Sequence, residues 1–363
     1  MNAPDTIVRA IQALVPDGVV LLSGSAGADL HSDESDVDLV VLVHGVARSD
    51  AFDALALSLQ ASSAGTLQVL RSAYTPVIKL EWNKMVSVDI IVASLPVAVS
   101  RETWQRNWGR DRSMPVSPAS MDVDDVSRRA LHALWMCQNF YRLPENVKDV
   151  VRDVRTWARA RGLYGTQLGF WGGVAWSLLV LYSRANSLRE ALAHIVAYDW
   201  SVPLTPKGSD DVVYPHGAVC CIMTYLEPAM NTTYTCNLIT LREIILAAEA
   251  TLGDVAVARP DARKEAATLD TTLPRFEHHC SIACENMQHR DFVLTRARHL
   301  MTQLERPDLF VRPRASFSFG VMTWGLQPLP GAWTAELHAE LQQVAREWSA
   351  RLSSVCNVIV SIV

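Results

Sequence analysis

The sequence predicts an α+β chain in three parts: a first third with a mixed β-sheet, a helical middle, and a small ferredoxin-like sandwich over about the last hundred residues. Three observations predict it. Short β-branched runs interleave with amphipathic stretches up to residue 112. From Val126 to about Arg189, and again from Leu238 to Leu252, the apolar period is helical. Near the end, strand-like segments interleave with two helices within about ninety residues, which suggests a small sandwich of the ferredoxin-like kind.

Each element has its own signal. Residues 4–15 read as an amphipathic helix, and "GVVLLSG" as a strand ending in a Gly-Ser turn. "DVDLVVLV" is a second strand. "SDAFDALALSLQASS" is a helix with Ser49 as the candidate N-cap. "TLQVLRSA", "TPVIKLEW" and "VSVDIIVASL" are three further strands, rich in β-branched residues and separated by short breaks. A Pro/Ser-rich crossing, "SMPVSPASMDVDD", leads into the helical part. A loop, "DWSVPLTPKGSDDVVYPHG", interrupts that part. "RFEHHCSIACEN" then reads as a strand, "RDFVLTRARHLMTQLE" as a helix and "RASFSFGVMTWGLQPL" as strand-like. "TAELHAELQQVAREWSARLSS" is a helix and "VCNVIVSIV" a final strand. The domain expectation is 1–112, 113–262 and 263–363.

Composition narrows the function. Of 363 residues, 49% are hydrophobic and 20% charged, a balance typical of globular proteins. No run of about eighteen apolar residues marks a membrane span, so no membrane partner is expected. The N-terminus lacks the basic and apolar regions of a secretory signal. Seven irregularly placed cysteines fit reduced thiols in a nucleus or cytoplasm better than a disulfide framework. The net charge of −5 leaves any nucleic-acid binding to a local patch. His278, His279, Cys280 and Cys284 lack the paired spacing of a zinc site, and the stretch reads as a strand.

The residues that ask for chemistry are acidic. Asp36 and Asp38 stand at the mouth of the second strand, where residues i and i+2 share a face. Two like charges so placed repel unless a cation lies between them. Mg²⁺ takes such oxygen ligands and keeps positions open for phosphate oxygens. The upstream Gly24-Ser25 turn offers backbone N–H groups and a hydroxyl. A third carboxylate, Asp89, lies inside an apolar strand, where burial is costly without a partner.

This combination resembles the nucleotidyltransferase superfamily of DNA polymerase β. Further stretches resemble the eukaryotic nuclear-type poly(A) polymerases. "YTPVIKLEWNKMVSVDIIVASL" (74–95) is similar to their third-carboxylate strand pair. "VVRDVRTWARARGLYGTQLGFWGGVAWSLLVLYSRAN" (150–186) is similar to their nucleotide-contacting helices and glycine turn. "YDWSVPL" and "EPAMNTTYTCN" (227–237) resemble two more stretches of the same domain. The order is kept over roughly residues 20–240, and the end of the chain matches the family's RRM-like domain in pattern only. The sequence has no basic tail after Val363, so a short form is expected, with no import signal recognised.

The resemblance implies a template-independent enzyme that adds AMP from ATP to single-stranded RNA 3′ ends and releases pyrophosphate. Asp36, Asp38 and Asp89 would hold two Mg²⁺ or Mn²⁺ ions and form the catalytic set. Gly24 and Ser25 would contact the triphosphate, and Lys79 the RNA primer. Arg155, Tyr164, Thr166, Gly172, Gly173 and Val174 would meet the nucleotide. Arg155 replaces the usual lysine and Thr166 the usual asparagine, so the choice of base is less defined. Arg152, Arg155 and Arg159 fall on one helix face and read as a phosphate-facing stripe. The alternatives are a uridylyl- or oligonucleotide-synthesising transferase and a non-catalytic RNA-binding subunit. Oligomeric state and recruitment partners are not legible in the sequence.

Overall fold

In the computed structural model, the described residues are 3–32, 35–62, 65–73, 75–83, 85–96, 100–115, 121–206, 218–225, 229–253, 277–284, 290–318, 321–353, 355–356 and 358–363. Most of the loop around "PKGSDDVVYPHG", part of the Pro/Ser-rich crossing and the expected 262/263 boundary lie outside them. Two compact units divide the chain, Met1–Lys148 and Asp149–Val363.

The first unit is built on a five-stranded mixed sheet in the order β1-β2-β5-β4-β3. Its strands are β1 (Val19–Leu22), β2 (Val37–His44), β3 (Gly65–Leu70), β4 (Val77–Trp82) and β5 (Val86–Leu95). β2 and β5 run parallel; the other neighbours are antiparallel. β2 reads as a near-continuous apolar run because it is covered on both faces. On one face Val37, Leu39, Val41, Val88, Ile90 and Val92 pack with α1 (Ala3–Leu14) and α3 (Arg48–Ala61) through Ile7, Ile11, Phe52 and Leu55. A single turn, α2 (Gly24–Gly27), follows β1. α4 (Arg101–Asp111) and α5 (Asp125–Tyr141) complete the unit, and α5 packs on β5.

Two local expectations need correction. Ser49 is not the N-cap of α3. Ala47 holds the extended cap position without a side-chain bond, and the Ser49 hydroxyl donates to Asp50 instead. No sequence pattern above announces a helix over "RETWQRNWGRD", yet it forms α4: Ser100 caps it, and Trp104 and Trp108 bury one face.

The second unit holds most of α6 (Glu145–Ala160), a 3₁₀ turn (Thr166–Leu168), α7 (Gly173–Ser183), α8 (Leu188–Ala197) and α9 (Leu238–Gly253). A βαββαβ module follows: β6 (His278–Cys284), α10 (Arg290–Leu304), β7 (Leu309–Ser318), β8 (Val321–Pro328), α11 (Ala335–Leu352) and β9 (Val358–Ile362). Its antiparallel sheet runs β7-β8-β6-β9, with β6 between β8 and β9. The single strand-like stretch 314–329 is the second strand and part of the first in a hairpin. β7 starts earlier, at Leu309, and tolerates Pro313 through a register shift between Arg312 and Ser316.

α9 is welded to this module. Ile239 shares its core with Leu300, Trp324 and Leu341. Arg312 Nε meets the fully buried Glu243 carboxylate at 2.5 Å, and Arg242 reaches Glu305 at 2.5 Å and the Val311 carbonyl at 3.1 Å. β6 confirms the strand reading of the His-His-Cys stretch; His278 stacks on Trp333 with ring centroids 3.6 Å apart. The seven cysteines are free thiols. Among the described residues no helix is long and apolar enough to cross a membrane.

Candidate active site

In the first unit, register brings the key acids together. Asp38 on β2 is the direct parallel partner of Asp89 on β5, and Asp89 is the antiparallel partner of Lys79 on β4. Strand alternation sends the flanking Val37, Leu39, Val88 and Ile90 into the core and turns Asp38 and Asp89 to the opposite face. Asp89 is therefore half-buried within an apolar run, and Lys79 Nζ compensates it from 3.1 and 3.3 Å. Asp36 is exposed, one residue before β2 begins.

Gly24 sits directly over Asp38. Its φ of +54° is left-handed, and a Cβ there would fall 2.6 Å from Asp38 Cγ and closer still to Oδ2. The Ser23 amide donates to the Asp38 carbonyl at 2.8 Å, tying the turn to the strand. From behind, the Cys137 thiol donates to the Gly24 carbonyl at 3.4 Å. Burial, with a smaller push from Asp38, raises this thiol to about 12, so it stays a neutral donor. Ser25 is half-buried, and its carbonyl accepts from Leu30 N at 2.8 Å. The buried Lys148 ammonium pairs with Asp29 at 3.1 Å and lies 5.0 Å from the Tyr141 ring. Sequence reasoning missed Cys137 and Lys148: each reaches more than a hundred positions back along the chain, and no local pattern announces such a contact.

The donor chemistry of Asp36, Asp38 and Asp89 is oxygen only, which suits a hard divalent cation such as Mg²⁺ or Mn²⁺. As they stand, however, no three acidic, His or Cys side chains among the described residues are gathered closely enough to hold a metal. The structure juxtaposes two carboxylates and leaves Asp36 at the exposed approach.

In the second unit, five of the expected nucleotide residues form one cluster. Arg155, buried on α6, donates through Nη2 to the Tyr164 hydroxyl at 3.2 Å. Tyr164 is fixed by a bridge to Trp171, with Gly165 N donating to the Trp171 carbonyl at 3.1 Å. A Cβ on Gly173 would lie 2.6 Å from the Tyr164 hydroxyl and 2.9 Å from Arg155 Nη2, so glycine is what lets α7 begin there. Gly172 faces Thr166, and Val174 is 41% exposed. Trp171 packs at a tilt of 54° against Trp176 and Trp200, with ring centroids 4.7 and 5.0 Å apart, a floor beneath the turn.

The arginine stripe does not survive as one surface. Arg152 pairs with Asp149 at 3.2 Å, Arg155 turns inward, and the Arg159 guanidinium lies 4.2 Å over the Tyr164 ring. Arg155 and Arg159 thus serve the tyrosine from two sides, whereas a shared face in sequence had suggested one common ligand. In the βαββαβ module the Arg242 guanidinium lies 4.8 Å from the Phe310 ring, and Arg312 pairs with Glu243 of α9.

The mixed sheet with its paired aspartates is nucleotidyltransferase-like. Its architecture is shared with the Cid1 poly(U) polymerase, solved with MgATP: TM-score 0.53, 17% identity, 72% of this chain and 90% of that one. A second Cid1 structure, with a UTP analogue, gives 0.51 at 16% identity, covering 72% of this chain and 89% of that one. These likenesses concern the fold alone. More particularly, the chain is similar in sequence to poly(A) polymerases. The poly(A) polymerase central domain family matches residues 146–188, the span that holds the Arg155–Gly173 cluster. Poly(A) polymerase PAPalpha of Candida albicans is 25% identical over 79% of this chain and 56% of its own length. Nuclear poly(A) polymerase 2 of Arabidopsis thaliana is 27% identical over 62% of this chain and 30% of its own length. The chain thus spans about half or less of the curated relatives it matches.

Proposed function

We propose that this chain is a template-independent polynucleotide adenylyltransferase, adding AMP from ATP to RNA 3′ ends with release of pyrophosphate. The observation that carries the reading is the Asp38–Asp89 register under the Gly24 turn. A rigid strand pair holds both carboxylates at one place, and the turn above Asp38 leaves no room for a side chain. Asp36, Asp38 and Asp89 would form the catalytic set and hold the metal. Bound there, two Mg²⁺ or Mn²⁺ ions supply charge neutralisation and activation for phosphoryl transfer.

The protein's own groups do the rest. Gly24 and Ser25 present main-chain and hydroxyl donors to the triphosphate. Asp89 orients the RNA 3′-hydroxyl and accepts its proton. Lys79, held beside Asp89, places a positive charge for the primer backbone. Arg155, its charge fixed in a buried position by Tyr164, binds phosphate oxygens and not the base. Thr166, Gly172, Gly173 and Val174 shape the remainder of the nucleotide pocket.

The βαββαβ module is read as RRM-like and RNA-binding, and the division 1–112, 113–262 and 263–363 as catalytic, central and RNA-binding domains. A nuclear or cytoplasmic enzyme acting on single-stranded RNA follows from this reading. The test is incubation of the purified chain with Mg²⁺ or Mn²⁺, a short RNA and each nucleotide separately. ATP-dependent extension supports the proposal. UTP preference would make the chain a uridylyltransferase, and no extension with any nucleotide a non-catalytic RNA-binding subunit.

A further inference from the structure

The turn over Asp38 runs on to Leu30. Ala28 N donates to the Gly24 carbonyl at 3.1 Å, Asp29 N to the Ala26 carbonyl at 3.4 Å and Leu30 N to the Ser25 carbonyl at 2.8 Å. Ala28 and Leu30 are buried on either side of Asp29. Asp29 is where the chain folds back, with a left-handed φ of +58°. A residue with a Cβ is strained in that region and glycine is not. Aspartate tolerates it better than most residues, but something must still favour it over the right-handed alternative.

Lys148 is placed to do so. Its ammonium lies 3.1 Å from Asp29 Oδ2, 3.8 Å from Glu145 Oε2 and 5.0 Å from the Tyr141 ring centroid. Of these partners Asp29 alone is within hydrogen-bonding distance, and it is 119 positions away in the chain. The lysine side chain is 6% exposed, against 50% for Asp29. A buried ammonium is costly unless it is paired. Lys148 also stands in the first turn of α6, near the end of a helix that disfavours a positive charge. Both costs are borne by the one residue whose nearest partner is the left-handed aspartate.

We propose that Lys148 is a positioning residue for nucleotide addition: through Asp29 it locks the Gly24–Leu30 turn in the closed form that presents Gly24 and Ser25 to the triphosphate. The proposal rests on the reading of Gly24 and Ser25 as triphosphate contacts. Lys148 acts through the backbone of the turn and not on the reacting atoms. With Asp29 held left-handed, Ala28 N and Leu30 N are aimed at the carbonyls of Gly24 and Ser25. If Asp29 leaves that region, the bonds that close the turn at both residues are lost together. Simple anchoring of α6 by an ion pair differs in one consequence. If Lys148 opposes backbone strain at position 29, glycine there removes the need for it, and alanine does not.

The test uses the full chain with Lys148→Met, Asp29→Ala, Lys148→Met/Asp29→Ala and Lys148→Met/Asp29→Gly. Amide hydrogen exchange of peptides covering residues 24–30 is measured beside kcat and KM for ATP. Lys148→Met should speed exchange in the turn about tenfold, the opening expected when the strain of a left-handed residue is unopposed. It should raise KM for ATP by a similar factor and change kcat by less than about threefold. Asp29→Ala, at a half-exposed side chain, should repeat this defect and is a second route to the same lock. Lys148→Met/Asp29→Gly should bring exchange and KM back to within about threefold of wild type, and Lys148→Met/Asp29→Ala should not. Unchanged exchange in Lys148→Met, a glycine double variant no better than the alanine one, or exchange restored without KM overturns the proposal. A wild-type chain that adds no nucleotide refutes the adenylyltransferase reading instead, while the exchange pattern still decides whether Lys148 holds the turn.

Discussion

Gly24→Ala and Gly45→Ala form a matched pair of perturbations. Both glycines are left-handed, with φ of +54° and +69°. Each substitution costs roughly 1–2 kcal/mol for an L side chain in that region. They differ in what the new methyl meets. At Gly45 nothing lies within 4 Å, whereas at Gly24 the Cβ falls 2.6 Å from Asp38 Cγ and 2.9 Å from Asp38 Cβ. An ordinary contact is 3.4 Å or more, and Asp38 Oδ2 lies closer still than Cγ, so the carboxylate or the turn must move by at least about 1 Å. A misplacement of that size at a catalytic group costs about a hundredfold in rate. The assay is kcat/KM for nucleotide addition together with thermal melting of both variants. Melting should fall in both, and activity only in Gly24→Ala, by about a hundredfold. Equal activity in the two variants would refute the argument that the turn is there to seat Asp38.

Arg155→Ala should lower kcat/KM for the nucleotide by about ten- to a hundredfold, the worth of a charged hydrogen bond of roughly 1.5–3 kcal/mol. Arg155→Lys should recover much of this with base preference unchanged; kinetics with ATP and UTP decide it, and a switched preference would place the residue at the base. Glu243→Ala strips the partner from Arg312 at a buried site and should destabilise the chain by roughly 3–5 kcal/mol in urea unfolding. A loss below about 1 kcal/mol would mean that α9 is not anchored to the βαββαβ module by this pair. Burial, and less so Arg128, lowers the His132 pKa below its ordinary 6.5, so the unfolded chain takes up that proton first. Stability should therefore fall as pH drops below about 6.5, and His132→Phe should flatten that fall in melting curves.

How much of this was legible in the sequence depends on the range of the interaction. Asp38 and Asp89 could be read because strand alternation and a costly carboxylate in an apolar run are local facts. Their side-by-side pairing on parallel strands is non-local and appears only in the register. The Gly172-Gly173 turn was legible as a close approach, but not its neighbour: the atoms that exclude a Cβ at Gly173 belong to Arg155 and Tyr164. The arginine face was misread because helical spacing says which residues share a side and nothing about what each one meets. α4 was missed because its mean composition is polar, and two tryptophans four residues apart carry the whole buried face. In β7 the proline at 313 disguised the strand, since a bulge absorbs it.

The most direct measurement is single-nucleotide extension of a short labelled RNA by the wild-type chain, Asp38→Ala and Asp89→Ala, with pyrophosphate release followed in parallel. The account predicts ATP-dependent extension with one pyrophosphate per added nucleotide in the wild type. It also predicts loss of both signals in each variant, while melting shows both variants still folded. Near-normal extension by either folded variant would contradict the account, because the paired aspartates would then not be where the reaction occurs.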